Sequence, residues 1–167
     1  KYIKPYTYSR VLDSTGQVIL ENTSSTSQAI SPAAAYITAD LLSGVVNSSV
    51  GTGKGAKLDC GISTYGKTGT TDDDCDKWFV GFTPYYVGAC WYGFDTPASI
   101  SAAGVSGNPT VTAWNLVMEK IHKSLNPKEI TKPSNVVEAQ VCEYSGMLAT
   151  DTCPTTTAYF VEGTQPK

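Results

Sequence analysis

Apolar and polar positions fall into a readable order along the chain. Tyr6, Tyr8, Val11 and Leu12 make one short arm, and Val18, Ile19 and Leu20 make another. Asp13-Ser14-Thr15-Gly16 between them supplies turn residues, so residues 5–21 are predicted to form a β-hairpin. A Ser/Thr-rich loop follows to residue 30. The next apolar residues, Ala34, Ile37, Leu41 and Val45, recur at spacings of three and four. That period predicts a helix with one buried stripe. Ser31 is its N-cap, Pro32 its first residue, and Gly51, Gly53 and Gly55 close it.

Beyond the glycines the period changes to that of strands. Residues 62–71, 78–82 and 85–94 read as three strands. Thr83-Pro84 links the last two so tightly that they must be antiparallel neighbours. The 85–94 run is apolar on both faces, which predicts a central strand covered on both sides. A second helix starts at Asn108-Pro109 and carries Trp114, Val117, Met118, Ile121 and Leu125 until Asn126-Pro127 stops it. Residues 127–167 are rich in Pro, Thr and Ser, with one short strand expected at 136–141. The pattern is α+β: an antiparallel sheet covered by helices.

Composition narrows the chemistry. Among 167 residues, 41% are hydrophobic and 16% charged, which excludes a disordered chain. The net charge is −3 with no basic run, so a nucleic-acid partner is not expected. A single His excludes a multi-His metal site. No apolar stretch approaches the ~18 residues of a membrane span. The 16 Ser and 21 Thr give the surface the flavour of a protein outside the cytoplasm. The chain begins at Lys1 rather than Met, as a processed chain or a piece of a longer one would. The five Cys cannot all pair within one chain. Cys142 and Cys153 lie in the turn-rich tail, where a bridge would close a small loop. Cys60 and Cys90 read as buried thiols.

Several motifs fail on detail. Gly51-Thr-Gly-Lys-Gly55 resembles a phosphate-binding loop, but Ser48 stands where the first Gly belongs and Gly55 where Ser or Thr belongs. It reads as a flexible turn. Asp72, Asp74 and Asp76 share calcium-loop spacing, but Lys77 and Thr83 occupy the Gly and Glu positions. His122 is read as a surface residue off the helix stripe. Gly66-Lys67-Thr68-Gly69-Thr70-Thr71 is better placed, on a strand leading into a polar turn. Alternation puts Thr68 and Thr70 on one face, with Lys67 and Gly69 on the other. Two hydroxyls about 7 Å apart on one strand face suit a carboxylate, Lys67 supplies positive charge, and Gly69 admits a close approach.

Lys67-Thr-Gly-Thr-Thr71 is followed by Asp76-Lys-Trp-Phe-Val-Gly-Phe-Thr-Pro84 and then Tyr85–Asp95. With the Tyr8–Glu21 hairpin, the Tyr36–Val46 helix and the Val141-Cys-Glu-Tyr-Ser-Gly146 tail, this order resembles the transpeptidase domain of class A, bifunctional penicillin-binding proteins from Gram-positive bacteria. The resemblance implies a β-lactamase/transpeptidase-like fold. Residues 1–126 then form the C-terminal half of the transpeptidase domain, and residues 127–167 a C-terminal tail.

That family works with a Ser-x-x-Lys, a Ser-x-Asn and a Lys-Thr-Gly strand. Only the third is here, so the resemblance implies that the nucleophile lies upstream. It implies a D,D-transpeptidase that cross-links peptidoglycan by serine acyl transfer without a cofactor. Lys67, Thr68, Gly69 and Thr70 would bind the D-Ala-D-Ala stem peptide or a β-lactam, with Lys67 and the Thr70 N–H taking part in catalysis. The upstream half of the same protein would be its partner, and an upstream segment its membrane anchor. The isolated chain would be inactive. A D,D-carboxypeptidase or β-lactamase-like relative, and a non-catalytic surface module that kept the fold, are the competing readings. For the tail, reduction is expected to add two hydrogens to the intact mass, seen by mass spectrometry with and without reductant; an unchanged mass removes the Cys142–Cys153 bridge.

Overall fold

The structure, a computed structural model, describes residues 1–166. The chain opens on a long exposed ribbon. Strand β1 (Tyr2–Ile3) pairs with β4 (Thr26–Ser27), and β2 (Arg10–Leu12) with β3 (Val18–Glu21). Tyr6 and Tyr8 fall outside the paired segments. The turn is built by Asp13, whose carboxylate accepts from Thr15 N at 2.8 Å, Thr15 Oγ1 at 2.7 Å and Gln17 N at 2.9 Å. Gly16 takes φ 86°.

Helix α1 (Pro32–Asn47) is capped by Ser31, whose side chain accepts from Ala34 N. Its buried residues are Ala33, Ala39 and Val46, not the stripe from Ala34 to Val45 that spacing predicts. Leu41 is 69% exposed. Small side chains on the inner face let α1 lie against the sheet, while Ile37 and Leu41 turn toward the C-terminal hairpin.

The main sheet is three-stranded and antiparallel, in the order β5 (Tyr65–Thr70), β6 (Asp76–Phe82), β7 (Val87–Gly93). The expectation of a central 85–94 strand is corrected: β6 is in the middle, and β7 is an edge among the described residues. Apolar content on both faces does not by itself place a strand inside a sheet. Here the second face is simply uncovered: Trp78, Val80, Val87 and Trp91 are exposed at 43%, 46%, 73% and 45%.

The covered face holds the core. Val46, Ala56, Leu58, Ile62, Phe79, Val111, Trp114 and Met118 form one cluster. Helix α2 (Pro109–His122) delivers Val111, Trp114 and Met118 to it. Its N-cap Asn108 accepts from Thr110 N at 3.1 Å and donates to the Trp78 carbonyl at 3.1 Å, tying the helix start to β6. Phe79 and Trp114 meet edge to face at 5.3 Å, worth roughly 0.5–1.5 kcal/mol beyond area burial. Val117 and Ile121, expected in the buried stripe, are more than 40% exposed.

His122 overturns its reading as a surface residue: it is fully buried. The error was one of helical phase, since Val111, Trp114, Met118 and His122 are spaced by three, four and four along a single face. Its Nδ1 lies 2.8 Å from the Met118 carbonyl and its Nε2 2.8 Å from Thr83 Oγ1. A carbonyl only accepts, so Nδ1 carries a proton, and in the neutral ring Nε2 accepts from the Thr83 hydroxyl. Thr83 Oγ1 in turn accepts from Tyr85 N and Tyr86 N. The β6–β7 turn is thereby fastened to the end of α2. Cys60 and Cys90 are partly buried rather than buried.

The tail is more ordered than its composition predicts. Strands β8 (Val136–Cys142) and β9 (Thr155–Val161) form an antiparallel hairpin, and a disulfide joins Cys142 to Cys153 with Cα atoms 5.6 Å apart. Tyr159 docks edge-on against Tyr36 of α1 at 5.4 Å. No helix among the described residues is long and apolar enough to cross a membrane.

Thr83→Val is expected to leave His122 Nε2 and two amides without a partner and to cost about 1–3 kcal/mol. Thr83→Ser should retain most of the stability. Urea unfolding of the two variants checks this, and equal midpoints would remove the hydroxyl's role.

Candidate functional site

Strand β5 places the four singled-out residues. Its only partner among the described residues is β6, with Lys67 opposite Val80, Thr68 opposite Phe79, Gly69 opposite Trp78 and Thr70 opposite Lys77. Phe79 is in the core and Val80 and Trp78 are exposed. Directly opposed residues share a face, so Thr68 and Thr70 point to the α1/α2 side. Lys67 and Gly69 lie on the uncovered side.

The backbone alternates too. Thr71 N donates to the Asp76 carbonyl at 3.2 Å. In an antiparallel ladder every second residue bonds to the neighbour. Thr71, Gly69 and Lys67 therefore spend their N–H and C=O groups on β6. Those of Thr68 and Thr70 point to the open edge. This edge offers an extended ligand two unpaired amides, with two hydroxyls beside them on the α1/α2 face.

Side-chain contacts refine the picture. Lys67 Nζ donates to the Thr68 carbonyl at 2.8 Å and makes no ion pair among the described residues. The strand thus carries an uncompensated positive charge at its edge. Thr68 Oγ1 lies 2.7 Å from Thr52 Oγ1. Thr70 is exposed, and no protein group engages its hydroxyl among the described residues. Thr71 has a different duty: its hydroxyl accepts from Cys75 N and Asp76 N and shapes the β5–β6 turn. Gly69 is tight rather than open, since a Cβ there would lie 3.2 Å from Trp78 Cβ.

The acidic turn is a latch, not a metal loop; no group of ligands for a cation occurs among the described residues. Asp74, at φ 54°, pairs with Lys77 and accepts from Ser101 N at 3.0 Å and from the Ser101 hydroxyl. Ile100 N donates to the Asp74 carbonyl at 2.9 Å. The loop after β7 is so pinned to the turn that follows Thr70. Spacing singled out Asp72, Asp74 and Asp76 as equals. Only Asp74 has this role, and Asp76 instead accepts from Trp91 Nε1 at 2.8 Å. Thr52 has no signal in the sequence, because its turn reads as a flexible loop and its partner lies 16 residues away.

The fold matches known structures. Penicillin-binding protein 1A from Haemophilus influenzae superposes over 99% of this chain with a TM-score of 0.71 at 20% identity, using 30% of that protein. The D,D-transpeptidase domain of a peptidoglycan glycosyltransferase from Eggerthella lenta superposes over 74% of this chain and 28% of its own, at TM-score 0.53 and 28% identity. The architecture is that of penicillin-binding transpeptidase domains. In sequence, the family described as "Penicillin binding protein transpeptidase domain" matches residues 1–94, and "Penicillin-binding protein 1A, C-terminal domain" matches residues 132–167. Penicillin-binding protein 1A of Clostridium tetani is 40% identical over 98% of the chain, and that of Aquifex aeolicus 29% identical over 98%. The chain belongs to the penicillin-binding protein transpeptidase family. It spans about a fifth of the length of these relatives, 21% and 22% respectively.

Lys77 and Ser101 hold the Asp74 carboxyl at about 2, below its ordinary 3.8. A carboxylate with a depressed folded value adds stability above its unfolded value and loses it as pH falls toward the folded one. The latch is therefore expected to hold above about pH 4 and to open between about pH 4 and pH 2. NMR titration of the Ile100 and Ser101 amides should show a midpoint near the lower end. A midpoint at the ordinary carboxylate value would mean that the pair does not form.

Proposed function

We propose that this chain supplies the carboxylate-binding edge of a D,D-transpeptidase that cross-links peptidoglycan stem peptides by serine acyl transfer and is trapped by β-lactams. The observation that carries the reading is β5 itself. Its open edge carries the Thr68 and Thr70 amides, their hydroxyls lie beside it on the α1/α2 face, and the Lys67 ammonium has no counter-ion among the described residues. A peptide ending in a carboxylate meets donors there.

In this reading Thr68 and Thr70 donate to the terminal carboxylate of D-Ala-D-Ala, or to the carboxylate of a β-lactam. Lys67 draws the anion in and supports the proton relay. The Thr70 N–H, pointing to the open edge, stabilises the tetrahedral oxyanion together with the N–H of the nucleophilic serine; such a donor is typically worth ~3 kcal/mol of barrier. The serine attacks the carbonyl, D-alanine leaves with the proton, and an amine of a second stem peptide takes the acyl group. Splitting the transfer this way replaces one hard step by two easier ones. The serine, its Lys and the Ser-x-Asn belong to the upstream part of the protein. That part packs on the uncovered Trp78, Val80 and Trp91 face and carries the membrane anchor, which leaves the domain outside the cytoplasm.

Covalent labelling with a fluorescent penicillin tests this. The full-length protein is expected to be labelled and chain 1–167 alone to stay unlabelled. Thr70→Val in the full-length protein is expected to slow labelling. Labelling of the isolated chain would overturn the placement of the nucleophile, and an unlabelled full-length protein would overturn the activity.

A further inference from the structure

The contact between Thr52 and Thr68 joins β5 to a turn outside the three motifs of the site. Gly51-Thr52-Gly53 follows α1 and leads into a 3-10 turn at Lys54–Ala56. It is held on all sides. Gly53 N donates to the Val45 carbonyl at 2.9 Å and Gly51 N to the Ser48 carbonyl at 3.0 Å. A Cβ on residue 51 would fall 2.3 Å from the Val45 oxygen, and one on residue 53 would fall 3.1 Å from Phe79 Cε2. Only glycine on both sides lets the backbone tuck under the helix end and against the core. Thr52 is thereby delivered to a fixed place, exposed, with its hydroxyl 2.7 Å from that of Thr68.

The proton count gives this contact a direction. A carboxylate only accepts hydrogen bonds, and a threonine hydroxyl has one proton to give. If Thr68 gives its proton to the substrate, its bond with Thr52 persists only with Thr52 as donor. We infer that Thr52 is a positioning residue: it donates to Thr68 Oγ1 and so aims the Thr68 proton at the substrate carboxylate. This inference rests on the carboxylate-binding reading of β5. Thr52 does not touch the substrate. It removes the rotamer and proton orientation in which the Thr68 hydroxyl would donate inward to Thr52, and it polarises the Thr68 hydroxyl as a donor.

The test uses the full-length protein, with benzylpenicillin and benzylpenicillin methyl ester as probes. The two differ in whether a carboxylate is present. Thr52→Val keeps the shape and removes the donor. It is expected to slow acylation by the free acid roughly three- to tenfold, with the rate for the ester unchanged. Thr52→Ser is expected to restore the wild-type rate for the free acid. A structural role would slow both probes alike, so equal losses would overturn the inference, as would a Thr52→Val rate equal to wild type. Thr68→Val separates the two readings. If it slows the free acid while Thr52→Val does not, only the Thr52 inference falls. If Thr68→Val also leaves the free acid unaffected, the carboxylate-binding reading falls with it.

Discussion

Trp114 reaches the sheet because two glycines leave room for it. A Cβ on Gly81 would lie 2.9 Å from its ring, and one on Gly88 would lie 2.9 Å from its indole nitrogen. That nitrogen donates to the Gly88 carbonyl at 3.1 Å, so the side chain is both packed and polar-satisfied. Phe79 fits beside it, and Gly66 gives way on the next strand: a Cβ there would come within 2.5 Å of the Phe79 ring. Two large rings in a row of missing side chains set how closely α2 can approach β6 and β7, and through Phe79 they set the seat of β5. Dense interiors transmit small displacements. The depth of this wedge therefore fixes where the edge of β5 stands.

Three further ties bring the rest into register with that wedge. Asn108 fastens the start of α2 to β6, and His122 fastens its finish to the β6–β7 turn through Thr83. Asp74 holds the β5–β6 turn to the loop after β7. Helix α1 is clasped on its outer side by Tyr159 of the C-terminal hairpin, itself closed by the Cys142–Cys153 bond. The turn that carries Thr52 hangs from the end of that helix. The hydroxyl-bearing edge is thus set from three directions, and none of these supports lies in the strand's own sequence.

What the sequence makes legible is what local chemistry decides. Ser31-Pro32 and Asn108-Pro109 announce both helix starts, because a cap acts within its own turn. Strands β5 to β7 follow from alternation, although the link between the last two is a four-residue turn, residues 83–86, and not the two residues Thr83-Pro84. Facing is harder, because it depends on what lies opposite. Leu41 looks like core by spacing and is exposed; Ala33 looks weak and is buried. His122 looks like a surface residue until its phase with Met118 is traced. β9 went unseen because Thr155, Thr156 and Thr157 have no apolar alternation to mark a strand. The Lys67–Thr70 motif was visible as residue types, whereas the Thr52–Thr68 pair, 16 residues apart, has no spacing signature at all.

The glycine at position 66 has a mechanical consequence. With Phe79 pressed against its covered face, β5 has no slack toward the core. Bulk added there, on β6 or on the helices, would push the strand toward its uncovered face and carry Lys67, Thr68 and Thr70 with it as a unit. Distant core substitutions in this fold thus shift the level of the edge residues with no change to their identity.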